Sequence, residues 1–107
     1  VVLWIADRCV RLGPRVREAQ AGVVPSGATS VTFNLTVVST VGTNGFMSVN
    51  PGTDATIYSS HINWSAAGLS LANAGTVGLD ASRQITIICG GTGTSAHFIV
   101  DITGYWL

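Results

Sequence analysis

SVTFNLTVV, Ser30 to Val38, decides the fold class because it alternates so regularly. Val31, Phe33, Leu35 and Val37 fall on one face of an extended chain, and Thr32, Asn34 and Thr36 on the other. A period of two is the signature of a strand with one buried side. No window of the 107 residues sustains an i, i+3, i+4, i+7 apolar pattern, and β-branched residues and glycine dominate. The chain reads as all-β, built around this strand.

Further strands follow from the same test. After the turn-like VGTNG come FMSVN, a PGTD turn, and ATIYSSHINW, where Tyr58, Ile62 and Trp64 would share one face and Ile57, His61 and Asn63 the other. Short strands are expected at Leu69–Leu71 and Thr76–Leu79. RQITIIC puts Ile85, Ile87 and Cys89 on one face. The loop GGTGTS, Gly90 to Ser95, reads as a hairpin leading into AHFIVDITGYWL, with Phe98, Val100 and Ile102 opposed to His97, Ile99 and Asp101. Eight or so strands separated by Gly, Pro, Asn and Asp turns predict an antiparallel β-sandwich, since two half-apolar sheets must cover each other. A jelly roll is the expected variant and a small closed barrel the alternative. The length suits one domain, residues 1–107.

Charge is scarce. Five Arg balance five acids, Lys is absent, and charged residues make up 9% of the chain, where about 25% is usual. Such a surface is poorly protected against association. Four of the Arg lie between Arg8 and Arg17, beside Asp7 and Glu18, which reads as a solvated loop rather than the clustered basic surface that nucleic acid requires. No stretch approaches the roughly 20 apolar residues of a membrane span, so no membrane span and no nucleic-acid partner are expected.

VVLWIA, Val1 to Ala6, stands apart. It is too short for a signal-peptide core and has no basic residues before it. Val1, Leu3 and Ile5 point one way and Val2, Trp4 and Ala6 the other, so the segment is apolar on both faces. One sandwich rarely buries both sides of a strand, and pairing with a neighbouring copy would do so. Cys9 and Cys89 are read either as two buried thiols or, in an exported and weakly charged domain, as a disulfide closing a loop of about eighty residues. The chain-entropy model assigns such a bridge on the order of 4 kcal/mol.

From Gly22 onward, GVVPSGATSVTFNLTV, HINW, QITIIC and AHFIVDITGYW resemble a β-rich repeat module of secreted and cell-wall-associated proteins of high-GC Gram-positive bacteria, often in tandem or beside amidase domains. That module usually opens with an Asp-Thr-Arg lead-in, where this chain has Ala6-Asp7-Arg8. The resemblance implies an exported, non-enzymatic accessory module, secreted or at the cell surface, and carries over no catalytic residue.

Titratable groups are few: Asp7, Glu18, Asp54, Asp80, Asp101, His61, His97 and the two cysteines. His97 and Asp101 share a strand face about 13 Å apart by strand rise, too far for a hydrogen bond. No pair has zinc-ligand spacing, PGTD offers calcium one carboxylate, and GGTGTS joins strands with no helix to receive a phosphate. Neither catalytic residues nor metal nor cofactor is expected. The sequons at Asn34 and Asn63 fall within strands and read as ladder residues. Two functions follow as expectations. One is a structural or adhesive module that self-associates into a homo-oligomer or filament through Val1–Ala6. The other is a module for cell-wall or surface glycan that stacks sugars on Trp4, Tyr105 and Trp106, with core packing the alternative role for Trp64.

Overall fold

The computed structural model describes residues 24–107 in full and the strand backbones at 7–9 and 13–18. Eight strands are formed: β1 (Asp7–Cys9), β2 (Gly13–Glu18), β3 (Ser30–Val41), β4 (Gly45–Pro51), β5 (Ile62–Trp64), β6 (Leu71–Gly78), β7 (Gln84–Gly90) and β8 (Ser95–Trp106). They build two four-stranded antiparallel sheets, one in the order β1-β8-β3-β6 and the other β2-β7-β4-β5. Of the connections, only β4 to β5 stays within a sheet; each of the others crosses to the facing sheet. That winding is an eight-stranded jelly roll, the expected architecture.

The alternation in Ser30–Val38 has its predicted effect. Val31, Phe33, Leu35 and Val37 are buried, as are Phe98, Val100 and Ile102 on the neighbouring β8, and all face Met47, Ile85, Ile87 and Cys89 of the other sheet. Each large side chain so buried contributes about 1.5–3 kcal/mol relative to exposure. Thr32, Asn34 and Thr36 lie half-buried on the outer face, where Asn34 Nδ2 donates to Thr36 Oγ1 at 3.2 Å. β3 bulges after Val38, with Ser39 at φ 52°. The bulge aims Thr40 into the β5–β6 loop, where its hydroxyl donates to the Ala66 carbonyl at 2.8 Å and accepts from the Leu69 N–H at 2.9 Å.

Four expectations need correction. The stretch from Arg8 to Arg17, expected as a solvated loop, supplies β1 and most of β2, whose backbones pair with β8 and β7. The strand expected across ATIYSSHINW is only Ile62–Trp64, and residues 54–61 form a loop. Buried Asn50 donates from Nδ2 to the carbonyls of Asp54 and Thr56, while the Asp54 carboxylate takes the Thr56 N–H. These local bonds claim backbone groups that a ladder would use. The two short strands expected at Leu69–Leu71 and Thr76–Leu79 are one strand, β6. GGTGTS is not a hairpin either, since β7 and β8 lie in different sheets. Thr94, buried in that crossing, donates its hydroxyl toward the carbonyls of Gly90 and Gly91, both at 2.9 Å.

Val1–Ala6 lies outside the described residues. So does the side chain of Cys9, whose backbone pairs with Ala96 in one sheet while Cys89 is buried on β7 of the other. The expected Cys9–Cys89 bridge therefore falls outside them too, and no disulfide is formed among the described residues. No helix long and apolar enough to cross a membrane is present there.

Candidate functional site

The two sheets end in different edge strands. β5 contributes three residues, and two of them, Ile62 and Trp64, turn into the core at 5% and 3% exposure. Trp64 stands opposite Gly45, and its indole fills the space a Cβ there would occupy. Its Nε1 donates to the Val41 carbonyl at 3.1 Å, so this tryptophan is a core residue that closes one end of the sandwich.

β6 is the opposite case. Its eight residues pair with β3 in unbroken register from Val37↔Leu71 to Ser30↔Gly78. Ala72, Asn73, Ala74 and Thr76 are exposed. No backbone hydrogen bond joins the other side of β6 to any described residue. Proteins usually blunt such edges with charge, proline, a bulge or brevity, and LANAGTVG has none of these. The face beside it is equally neutral, since Ser30, Thr32, Asn34 and Thr36 of β3 line up with Gly78, Thr76, Ala74 and Ala72.

A seam joins the two edges. His61, just before β5, lies with its ring centroid 4.9 Å from that of Phe33 and fills the space beside Gly75, where a Cβ would overlap it. The His61 carbonyl accepts from Asn73 Nδ2 at 2.8 Å, and its N–H donates to the Met47 carbonyl at 2.7 Å. His61 Nε2 is buried and has no hydrogen-bond partner among the described residues.

At the Trp64 end a cleft of about 400 Å³ opens between the β3–β4 turn and β5, lined by Thr43, Asn44, Phe46, Asn63, Trp64 and Ser65. Phe46 and Asn63 are direct cross-strand partners and point away from the core. Phe46 carries little signal in the sequence. The one available hint was an aromatic directly after the turn TNG, outside the alternation of its neighbours.

Tyr105 and Trp106, candidates for a sugar platform, emerge at the other end of the sandwich at 48% and 51% exposure. Tyr105 pairs with Val31 and Trp106 with Ser30. As successive residues of one strand they project to opposite faces, so the structure does not bring them together. Trp4 lies outside the described residues. Leu107, 79% exposed, adds apolar surface at this end.

Three charged side chains of residues 24–107 make hydrogen bonds in turns and loops. Within residues 24–107, Asp80 caps its turn by accepting from the N–H groups of Ser82 at 3.1 Å and Gln84 at 2.8 Å, and Arg83 Nη1 donates to the Val24 carbonyl. Asp54 accepts from the Tyr58 hydroxyl at 2.7 Å, which holds its carboxyl below the usual range, helped by the Thr56 N–H. The same bond raises the Tyr58 phenol. Within the same residues, Asp101 is the acid that lies on a strand, sharing its face of β8 with His97. No group of three or more His, Cys, Asp or Glu side chains able to hold a metal comes together among the described residues.

No protein-family model and no curated protein matches the chain.

Proposed function

We propose that this chain is a non-enzymatic extracellular module, structural or adhesive, that self-associates into a surface or secreted assembly through strand contacts. The observation that carries this reading is the unguarded edge of β6, eight residues long, exposed and without charge. A second copy of β6 fits it. Two uncharged strands approaching antiparallel across a two-fold axis bring no like charges together and would extend the sheet through their open backbone groups. The low charge of the whole chain acts in the same direction, because little repulsion opposes contact. The extracellular setting rests on the resemblance carried by the segments between Gly22 and Trp106. Val1–Ala6, which would be apolar on both faces if extended, is a second segment that a neighbour could take up.

Light scattering across a concentration series tests the reading. The unmodified chain is expected to gain mass with concentration, Ala74→Lys to stay monomeric with an unchanged melting curve, and removal of Val1–Ala6 to weaken association. A wild-type chain that remains monomeric at its highest soluble concentration overturns it.

A further inference from the structure

We infer that the cleft beside β5 is a binding site for a short neutral saccharide, with Phe46 as the stacking surface and the side chains of Asn44 and Asn63 as hydrogen-bonding groups. Its lining contains no charged residue, which disfavours ionic ligands and leaves amides, hydroxyls and an aromatic ring. That is the complement of a pyranose, which offers hydroxyls at its rim and an apolar C–H face. The volume, about 400 Å³, lies toward the lower end of the range of about 300–1,000 Å³ for small-ligand sites.

The site is held in place from beneath. The Phe46 ring rests over Gly90, at a position where a Cβ would overlap it, so the backbone fixes the ring while leaving it partly exposed. Trp64 forms the floor, its N–H already committed to the Val41 carbonyl. Asn63 Nδ2 donates to Ser60 Oγ at 3.0 Å, which orients the amide and leaves Oδ1 to accept a sugar hydroxyl. Asn44 and Thr43 are exposed on the turn above. This end of the sandwich is remote from Tyr105 and Trp106, so the site differs from the one expected on those residues. Occupying it does not require β6 to be paired, so binding survives in a monomer.

The test is an NMR titration of the isotope-labelled chain with maltose, cellobiose and chitobiose, run on wild type and on Ala74→Lys. At least one sugar is expected to shift the Asn44 and Asn63 side-chain amides and the Gly45 N–H saturably. Phe46→Ala should weaken that binding about tenfold or more, and Phe46→Tyr should retain it. Asn63→Ala, on an exposed edge position, should weaken binding with the fold intact, which keeps the test decisive should Phe46→Ala unfold. Absence of shifts with all three sugars overturns the assignment, as do shifts confined to Tyr105 and Trp106 or binding unaffected by Asn63→Ala. Loss of association in Ala74→Lys with sugar binding retained separates this site from the assembly interface.

Discussion

β5 and β6 sit side by side at the seam of the sandwich, each the last strand of its sheet, and they close that edge by different means. β5 is short and turns two large side chains inward, with Trp64 seated over Gly45 and Ile62 beside Met47. β6 is long, and of its residues only Val77 is buried. An edge only three residues long offers little open backbone to pair with. One made of alanine, glycine, asparagine and threonine offers its backbone to whatever strand arrives next. The difference places core packing at β5, and the proposed association would use β6. Should copies assemble, each would also carry a cleft, and repeated weak sites gain avidity that one cannot reach.

The sharpest way to break this contrast is Trp64→Ala. Loss of a buried indole and its hydrogen bond is expected to cost about 3–5 kcal/mol, read as a lower urea midpoint. A loss under about 1 kcal/mol would mean that the β5 edge does not depend on its tryptophan.

Gly75 and Ala74 divide the contrast within a single strand. Gly75 faces the seam, where an added Cβ would overlap the His61 ring, so Gly75→Ala is expected to destabilise the chain by about 1–3 kcal/mol through overpacking. Ala74 is exposed on the outer face, and lysine there should leave the midpoint within about 0.5 kcal/mol while blocking association. Equal effects of the two changes on a urea curve would show that β6 does not separate a packed face from a free one.

Much of this was readable in advance where alternation was strong. Val31 to Val37 and Phe98 to Ile102 declared their core faces because large apolar residues recur at every second position, and a jelly roll followed from the strand count and turn composition. β6 was split in two because Ala72, Asn73, Ala74 and Gly75 have no apolar period; an edge strand need not bury one face, so the pattern was never written. The opposite error arose at 55–61, where Ile57 and Tyr58 imitate a strand. The deciding groups there are the Asn50 amide and the Asp54 carboxylate, which bind local backbone and leave Tyr58 70% exposed. GGTGTS looked like a hairpin since crossing between sheets is settled by the whole winding, not by six residues. The cleft was hidden for a related reason: Phe46 and Asn63 are 17 positions apart in sequence and meet only through the β4–β5 register.

The loop that leads into β5 carries the smallest effect. Asp54 has a depressed folded pKa, mainly through the Tyr58 hydroxyl and next through the Thr56 N–H, so its stabilising contribution is present above the ordinary carboxylate pKa and lost as pH falls through the folded value. Tyr58 is raised by the same bond, so its share is present below the ordinary phenol pKa and lost as pH climbs through the raised one. Between those limits the pair is intact, and beyond either the loop loses a tie while the core is untouched. Both groups are solvent-exposed, so the gain is small and screened by salt. Tyr58→Phe is expected to move the Asp54 titration, followed by the NMR shift of its carboxyl carbon, upward toward the ordinary range, with the melting curve at neutral pH nearly unchanged. An Asp54 titration that stays put would show that the Thr56 N–H alone holds the carboxylate. The approach to β5 would then be fixed by backbone, as β5 itself is fixed by Trp64, and Tyr58 would be left as an exposed aromatic with no structural task.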